Sequence, residues 1–396
     1  MTFNLLHEKL QKAIQDLGHT TPTPIQEKAI PKVLEGCDLQ ASAQTGTGKT
    51  AAFILPALNK LADPAPAGRG PRVLILVPTR ELAMQVANEA AKYSKHLPHI
   101  KTVCVYGGMP YPLQNKQLSK PYDILVATPG RLIDHLERGR IQLNRIQMLI
   151  LDEADRMLDM GFVEPVEHIA SLTPKNRQTL MFSATLKGNV LNLSRRLLNQ
   201  PLEICIEPSY DAQVNIEQQL HTVDNIDHKY RLLDHLLADR GMSQVIIFTA
   251  TKHQADQLAD KLSVEGHPAE ALHGDMNQRQ RTRTIASLRK GAIRILVATD
   301  VAARGIDVPA ISHVINFDLP MSAEDYVHRI GRTGRAGASG VALSFAAHRD
   351  LRLVQQIERF TGKKMTPTVI PGMEPKFKHQ AKPQRKSWGP PRRRFR

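Results

Sequence analysis

Short apolar runs alternate along the chain with segments in which apolar residues recur at helical spacing. The runs are residues 73–77, 124–127, 148–151, 179–182, 245–248, 293–298, 314–317 and 341–345. Between them lie stretches such as 81–93 and 254–264, whose apolar residues fall on one helix face. Continuous apolar strands separated by amphipathic helices indicate parallel sheets that are covered on both faces. The pattern therefore predicts a doubly wound α/β fold.

One string, ILVAT, occurs twice, at residues 124–128 and 295–299. A loop carrying an arginine follows each copy, with Arg131 in the first half and Arg304 in the second. This echo favours two similarly built domains, and 396 residues exceed what one core usually organises. A boundary is expected where apolar periodicity lapses near Pro208. The predicted divisions are a first domain at 1–206, a linker at 207–213, a second domain at 214–365 and a tail at 366–396.

The net charge of +15 points to a polyanionic partner, and much of it lies at the C-terminus. Residues 373–396 hold nine Lys and Arg residues against one acid, Glu374. Prolines interrupt any helix there and aliphatic residues are scarce, which predicts a disordered basic tail. Phe377, Trp388 and Phe395 stand among the charges, a mixture that suits nucleic-acid binding through backbone attraction and base stacking. The alternative is a tail that only improves solubility.

No apolar stretch of the sequence is long enough to cross a bilayer, and the first ten residues lack the basic and apolar segments of a secretion signal. Cys37, Cys104 and Cys205 are far apart and form no CxxC pair. We therefore expect reduced thiols in a cytoplasmic protein, without a zinc site and without a membrane partner.

Two motifs predict ATP binding. Residues 43–50, AQTGTGKT, supply a glycine-rich turn for phosphate oxygens, a lysine for the β and γ phosphates and a hydroxyl for Mg²⁺. Asp152 and Glu153 stand where the apolar run 148–151 ends, the position expected of a metal-holding acid and a water-orienting acid. Only the first half carries this phosphate loop.

The second half instead carries HRIGRTGR at residues 328–335. Arginines on a glycine-rich segment without a local nucleotide site need an anion from elsewhere. We therefore predict that Arg332 and Arg335 reach across a cleft to the ATP of the first half as arginine fingers. The alternative is a solvated basic turn.

These motifs, in this order, resemble the DEAD-box family of RNA helicases, and the short body with a basic tail is most similar to the bacterial RhlE-like group. The resemblance covers about residues 1–360. It implies two tandem RecA-like domains, each a mostly parallel doubly wound sheet, joined by a flexible linker. It also implies an RNA-stimulated ATP hydrolase that uses ATP and Mg²⁺.

The resemblance implies roles for individual residues around ATP. Gln26, in the string PTPIQ, matches the glutamine that reads adenine, because its amide offers one donor and one acceptor. Phe3 resembles the aromatic residue that stacks on the base, and the alternative is that it anchors the N-terminus in the core. The implied ATP-binding residues are Phe3, Gln26, Ala43, Gln44, Thr45, Gly46, Thr47, Gly48, Lys49, Thr50, Asp307, Arg332 and Arg335.

For the chemistry, the resemblance implies that Thr50 and Asp152 hold Mg²⁺ while Glu153 positions and deprotonates the attacking water. The implied catalytic residues are Lys49, Asp152, Glu153, Arg332 and Arg335. A second group is expected to couple hydrolysis to movement of the two halves; it comprises Asp155, Ser183, Thr185 and His328.

RNA is expected to lie across both domains, away from ATP, with contacts to its backbone and none to base edges. The implied RNA-binding residues are Pro78, Thr79, Arg80, Gly107, Gly108, Thr128, Pro129, Gly130, Arg131, Phe248, Gln278, Arg281, Thr299, Arg304 and Gly305. The basic tail is expected to add contacts.

The predicted function is local separation of short RNA duplexes, or remodelling of RNA–protein complexes, through closure driven by ATP and RNA. An ATP-gated RNA clamp with little unwinding is one alternative, and a DNA helicase is a less favoured one. A monomer is expected, and the sequence identifies neither the biological RNA nor any protein partner.

Overall fold

The computed structural model describes residues 2–43, 47–63, 68–186, 188–206, 216–239, 241–303, 311–334, 339–365 and 367–376. Several predicted features lie outside these residues. They are the linker 207–213, the tail from residue 377 onward, and the site residues Gln44, Thr45, Gly46, Arg304, Gly305, Asp307 and Arg335.

Within the described chain, the first sheet has seven strands in the order β3-β4-β2-β5-β6-β1-β7, and its neighbouring strands pair in parallel. The strands are β1 (Leu39–Ser42), β2 (Val73–Leu76), β3 (Thr102–Val105), β4 (Ile124–Ala127), β5 (Met148–Leu151), β6 (Gln178–Ser183) and β7 (Leu202–Cys205). Because parallel neighbours need crossover connections, helices separate consecutive strands. The helices are α1 (Glu8–Asp16), α2 (Pro24–Leu34), α3 (Lys49–Lys60), α4 (Arg80–Tyr93), α5 (Tyr111–Leu118), α6 (Pro129–Glu137), α7 (Ala154–Asp159), α8 (Val163–Ser171) and α9 (Asn189–Leu197), after a 3₁₀ turn at Thr2–Leu5.

The second sheet has six strands in the described chain, in the order β10-β11-β9-β12-β13-β8, again paired in parallel. They are β8 (Ile216–Thr222), β9 (Val245–Phe248), β10 (Ala269–Leu272), β11 (Ile295–Ala298), β12 (His313–Asn316) and β13 (Gly340–Ala346). The helices are α10 (Ile226–Leu237), α11 (Lys252–Val264), α12 (Gln278–Arg289), α13 (Asp300–Ala303), α14 (Ala323–Ile330) and α15 (Leu351–Thr361), with a 3₁₀ turn at His348–Asp350.

Both sheets repeat one strand order. Numbered in chain order within each half, the strands follow 3-4-2-5-6-1, and β7 adds an edge to the first sheet. The repeated ILVAT string forms β4 and β11, which occupy the same position in their sheets. The repeat therefore reflects structural equivalence of the halves, and the predicted doubly wound α/β fold is confirmed.

Alternate residues of each central strand enter apolar cores on opposite faces of the sheet. In β2, Val73 and Ile75 belong to one buried cluster, and Leu74 and Leu76 belong to another. Strand β9 shows the same alternation between the two large clusters of the second sheet. Since helices cover both faces, such strands need no polar side. This explains the continuous apolar runs of the sequence.

No helix of the described chain combines the length and apolar character that a membrane crossing needs.

Strands β1, β3, β7, β8 and β10 are not among the predicted runs. Four of them lie at sheet edges, where polar residues are tolerated, as in the Glu-Gln-Gln sequence of β8. Strand β1 is interior, but Gln40 breaks its apolar pattern. Gln40 is buried and accepts a hydrogen bond from the Ser194 hydroxyl, so its polar side chain is satisfied within the core.

Residues 367–376 correct the predicted start of the disordered tail. Pro367 forms a bridge with Leu220 of β8, and Ile370 and Met373 pack against the apolar core of the second sheet. From the sequence this segment was assigned to the tail, because prolines and charges surround its few apolar residues. The packed part of the second half therefore continues to residue 376.

Asp38 holds the start of β1 in place through two hydrogen bonds, and β1 leads to the phosphate loop. Its Oδ1 accepts from the Thr179 amide at 2.7 Å and its Oδ2 from the Asn199 amide at 2.7 Å. Asp38→Ala leaves both amides without a charged acceptor and is expected to lower the free energy of unfolding by about 2 kcal/mol. Urea unfolding followed by circular dichroism measures the loss.

The matched control is Asp16→Ala, which removes a carboxylate that pairs with Lys95 and His96 at the surface. Exposed pairs contribute little, so this variant is expected to unfold close to the parent. Equal losses in the two variants would contradict the role given to Asp38.

Candidate nucleotide site and nucleic-acid cleft

The predicted phosphate and acid residues meet at the carboxyl edge of the first sheet. Strand β1 leads to Ala43, and α3 begins at Lys49. Strand β5 is followed directly by Asp152 and Glu153. Because parallel strands end at one edge and β6 alone lies between β1 and β5, the chain brings the lysine to the acids.

Lys49 is a buried cation. It is 6% exposed, and its ammonium group has no hydrogen-bond partner among the described residues. Its charge acts on both Asp152 and Glu153, which places it near the two carboxylates. A buried ammonium is costly unless anions and acceptors surround it. Lys49 therefore fits the predicted phosphate-binding role.

Asp152 fits a role beside a cation. It is 3% exposed, and burial raises its pKa to about 6 although Lys49 acts to lower it. Among the described residues no cluster of three His, Cys, Asp or Glu side chains could hold a metal by itself. Mg²⁺ is usually held by one or two protein oxygens together with substrate phosphates. Asp152 supplies a carboxylate oxygen of that kind, and Thr50, in the first turn of α3, supplies a hydroxyl oxygen.

Glu153 is held by an ion pair that the sequence analysis missed. Arg156 Nη1 donates to Glu153 Oε2 at 2.7 Å, and the two side chains are 2% and 7% exposed. Burial raises the pKa of Glu153, but Arg156, Lys49 and Arg332 lower it by more, so the net pKa lies below its usual value. Glu153 is therefore kept ionised. The available signal was the spacing, because residues three apart face each other on a helix.

Gln26 contacts the phosphate loop directly. Its Nε2 donates to the Gly48 carbonyl at 3.1 Å, and its Oε1 accepts from the Thr23 amide at 3.0 Å. Gly48 has φ of +87°, and a Cβ at this position would lie 2.5 Å from Gln26 Nε2. Glycine is therefore required there both for the backbone conformation and for the approach of Gln26. Phe3 packs against the apolar core of the first half, as its alternative role expects; stacking on adenine stays a prediction.

Asp155, Ser183 and Thr185 lie at the ends of β5 and β6. Asp155 Oδ2 accepts from the Ala184 amide at 3.0 Å, and Ser183 Oγ accepts from the Thr185 amide at 3.3 Å. Ser42 Oγ, at the end of β1, donates to the Ala184 carbonyl at 3.1 Å. These bonds join three strand ends within the first half. Hydrogen bonds from Asp155 to the second half stay a prediction.

The second half reaches this edge through Arg332. Arg332 follows α14, is 4% exposed, and its charge acts on Glu153. Its Nε donates to the His328 carbonyl at 3.2 Å. A small pocket between the halves is lined by Arg156, Phe248, Asp300, Ala303, Asp325, His328, Arg329 and Arg332. The structure thus brings Arg332 to Glu153 and places His328 in the pocket beside Arg156, while Arg335 lies outside the described residues.

Arg329, in the HRIGRTGR motif, links α14 to the second sheet through hydrogen bonds and ion pairs. Its Nε and Nη2 donate to the Asp300 carboxylate at 2.6 and 2.7 Å, and its Nη1 donates to Asn316 Oδ1 at 3.0 Å. The guanidinium lies 4.8 Å from the Phe248 ring centroid. Phe248 is 2% exposed. The Phe248 ring is therefore buried beneath Arg329, and the RNA contact expected at this position stays a prediction.

A second cleft, of about 300 Å³, is lined by residues of both halves. They are Pro78, Thr79, Arg80, Glu81, Gly107, Thr128, Gly130, Arg131, Met160, Phe162, Gly274 and Arg281. Eight of them were predicted RNA-binding residues. The other four are Glu81, Met160, Phe162 and Gly274; Glu81 directly follows the predicted Arg80, whereas sequence reasoning did not point to Met160 and Phe162.

The other described members of the predicted RNA set lie at the ends of neighbouring elements. Pro129 is the first residue of α6, and Gln278 is the first residue of α12. Thr299 follows β11, and its amide donates to the Leu272 carbonyl at 3.3 Å. Gly108 lies against Arg80, and a Cβ there would collide with Arg80 Nη1. The Gly107–Gly108 pair therefore makes room for an arginine of the cleft.

A buried ion pair joins the two halves at this cleft. Arg281 Nε donates to Glu81 Oε1 at 2.8 Å, and the side chains are 7% and 6% exposed. Gln278 Nε2 also approaches Glu81 Oε1, at 3.5 Å. Arg281 further donates to the His273 carbonyl at 3.1 Å. Glu81 therefore holds two predicted RNA-binding side chains of the second half.

Comparison with known proteins agrees with this geometry. The family described as DEAD/DEAH box helicase matches residues 23–193, and the helicase conserved C-terminal domain matches residues 228–337. The ATP-dependent RNA helicase SrmB of Escherichia coli is 44% identical over 381 residues, which cover 96% of this chain and 86% of SrmB. The ATP-dependent RNA helicase DeaD of Mycobacterium tuberculosis is 44% identical over 369 residues, or 93% of this chain.

The chain spans only 64% of the length of that DeaD protein. Among solved structures, Saccharomyces cerevisiae Dbp5 bound to RNA and ADP BeF3 is similar with a TM-score of 0.82 and 32% sequence identity. The similarity covers 91% of this chain and 94% of the Dbp5 chain. It therefore extends over both sheets.

Glu81→Ala tests the ion pair between the halves. Removing one partner of a buried pair costs about 3–5 kcal/mol if the remaining charge stays buried. The halves are therefore expected to separate, because separation returns Arg281 to water. Small-angle X-ray scattering should show a larger radius of gyration than for the parent.

Glu89→Ala is the matched control, since Glu89 lies on the same helix and pairs with the exposed Lys92 of its own half. It is expected to leave the radius of gyration unchanged. If both variants scatter like the parent, the Glu81–Arg281 pair does not hold the halves together.

Proposed function

The chain belongs to the DEAD-box family of ATP-dependent RNA helicases, and we propose that ATP and RNA together close its two halves, that ATP is hydrolysed in this closed state, and that short duplexes are separated locally. The predicted family is thereby confirmed, whereas membership of the RhlE-like group stays a prediction. Sequence identity of 44% with SrmB, covering most of both chains, supports an activity of this kind. The observation that carries the proposal is the buried Lys49 ammonium beside two acids that Arg332 approaches from the other half.

In the proposed reaction, Lys49 binds the phosphates and Gln26 lies beside the phosphate loop, where its amide reads the adenine. Asp152 and Thr50 would hold Mg²⁺, which supplies charge neutralisation on the phosphate oxygens. Glu153 orients the attacking water and accepts its proton, and the ion pair with Arg156 fixes the carboxylate for this task.

Arg332 stabilises negative charge as the phosphoryl group transfers. Because Arg332 comes from the second half, hydrolysis depends on closure. Arg335 is proposed to share this role, on the strength of the motif alone.

RNA is proposed to occupy the cleft lined by Arg80, Thr128 and Arg131 of the first half and Gly274 of the second. Arginines, hydroxyls and glycine amides suit phosphate oxygens and do not read bases, so binding is expected to be independent of sequence. The similar Dbp5 structure is bound to RNA, which supports an RNA site on this fold. Closure around a bent strand would then exclude its pairing partner.

An ATPase assay with and without RNA, combined with release of a short labelled duplex, tests the function. The parent is expected to hydrolyse ATP faster with RNA than with DNA, and to release the duplex when ATP is present. Stimulation without duplex release would instead support the RNA clamp. A response to DNA equal to that with RNA would favour a DNA helicase, and no response to either would refute the proposal.

Glu153→Gln tests the water-positioning role. The amide cannot accept the proton, so kcat is expected to fall by about 100-fold or more while ATP and RNA binding persist. Stopped-flow phosphate release measures kcat, and fluorescence anisotropy measures binding. Glu164→Gln, an exposed acid on α8, serves as the control and should match the parent. Parental turnover in Glu153→Gln would show that another group positions the water.

The basic tail is proposed to strengthen RNA binding. Because residues 367–376 pack against the second half, the deletion should remove only 377–396, which hold eight Lys and Arg residues and no acid. Affinity for RNA is expected to fall about tenfold at low salt, with a shallower dependence on salt concentration. Anisotropy titrations at several salt concentrations measure both. An unchanged affinity and slope would leave the tail with only a solubilising role.

A further inference from the structure

Tyr111, the first residue of α5, lies beside Arg131 of α6 and Arg138, which directly follows that helix. The guanidinium carbon of Arg131 is 4.4 Å from the centroid of the Tyr111 ring, and that of Arg138 is 4.7 Å away. The Tyr111 hydroxyl donates to the Asp134 carboxylate. Asp134 also accepts from Arg138 Nε at 2.8 Å. The ring and the carboxylate therefore form a single charged and aromatic cluster with both arginines.

Of the two arginines, Arg131 lines the cleft assigned to RNA. Its Nη1 donates to the Met109 carbonyl at 2.8 Å, and its Nε lies 3.9 Å from Asp134 Oδ2. Its side chain is 12% exposed, whereas that of Arg138 is 58% exposed. Arg131 is thus held on several sides, with little of its surface left to solvent.

Two buried side chains, Gln114 and His135, hold Tyr111 and the backbone before it in place. Gln114 Nε2 donates to the carbonyls of Tyr106 and Met109, each at 3.2 Å, and Gln114 is fully buried. His135, also fully buried, presents its ring to the edge of Tyr111 with centroids 5.7 Å apart. Tyr111 therefore has a defined place from which to act on Arg131.

We propose that Tyr111 is a positioning residue for RNA binding, whose ring holds the Arg131 guanidinium in the orientation that grips a phosphate of the RNA backbone. The proposal rests on the proposed function, since it concerns the same cleft. A long arginine side chain loses rotamer freedom when it binds a phosphate. A ring that already restricts the guanidinium reduces this loss, so affinity for RNA increases without a direct contact between Tyr111 and RNA.

The competing explanation is that Tyr111 only packs α5 against α6. Packing alone would affect thermal stability and would act independently of Arg131. Positioning instead requires that the effect of Tyr111 on RNA binding depends on the presence of Arg131.

The test compares Tyr111→Ala, Tyr111→Phe and Leu113→Ala, the last being a truncation at an exposed position of the same helix. The probe is a labelled single-stranded poly-uridine oligonucleotide, titrated by anisotropy with the full chain. Tyr111→Ala is expected to raise both Kd and the KM for RNA about three- to tenfold, in line with the strength of cation–π contacts. The kcat at saturating RNA should stay close to that of the parent. Tyr111→Phe keeps the ring and should restore most of the affinity.

A double-mutant cycle with Arg131→Ala completes the test. In the Arg131→Ala background, Tyr111→Ala is expected to change Kd by less than about twofold, because the group it positions is gone. Additive effects, or a Kd for Tyr111→Ala equal to that for Leu113→Ala, would overturn the positioning role. If the parent itself binds no RNA, the proposed function fails and this inference fails with it; RNA binding by the parent with no effect of Tyr111→Ala overturns the inference alone.

Discussion

The arrangement of buried charge at the carboxyl edge of the first sheet is the constraint on which the rest of the structure depends. Lys49, Arg156 and Arg332 contribute three cations, and Asp152 and Glu153 contribute two anions, all of them buried. Burying ions is costly unless they are paired. The Lys49 ammonium, which has no hydrogen-bond partner among the described residues, leaves a place for an anionic ligand, and a phosphate chain has the charge and the acceptors that this place needs. Binding of a nucleotide would thus offset the free-energy cost of burying these charges.

Electrostatic attraction between buried charges also connects the two halves. In two places a carboxylate of the first half lies near an arginine of the second. Glu81 pairs with Arg281 at the RNA cleft, and Glu153 feels the charge of Arg332 at the nucleotide site. Glu153 lies two residues after β5, and Glu81 lies in the first turn of α4, which follows the neighbouring strand β2, so one edge of the first sheet presents both to the second half. Separation of the halves would break the Glu81–Arg281 pair and would remove the charge of Arg332 from Glu153. A ligand that binds better when the halves are together would therefore favour both contacts at once, which is the physical requirement for coupling.

Much of this could be predicted from the sequence, because it depends on local pattern. Apolar runs and helical periodicity predict the central strands, and the phosphate loop and the Asp-Glu pair after β5 predict the nucleotide site. The contacts that could not be predicted join residues whose partners cannot be recognised from the local sequence. Nothing local in the sequence reveals that Arg156 and Glu81 have buried ion-pair partners, or that an arginine lies above the Phe248 ring. Strand β1 was missed since Gln40 finds its partner on α9.

Backbone conformation explains why these sites tolerate so little change. Gly48 and Gly108 both have positive φ, and each lets a polar side chain approach the backbone: Gln26 at the nucleotide site and Arg80 at the cleft. Glu153 also has positive φ, at +53°, but it is not a glycine, and such a conformation costs about 1–3 kcal/mol. The ion pair with Arg156 and the hydrogen bond from the Glu153 amide to Asp152 Oδ1 hold it there. A strained residue held by buried partners has few alternative positions, and this is the property that a group orienting a water molecule needs.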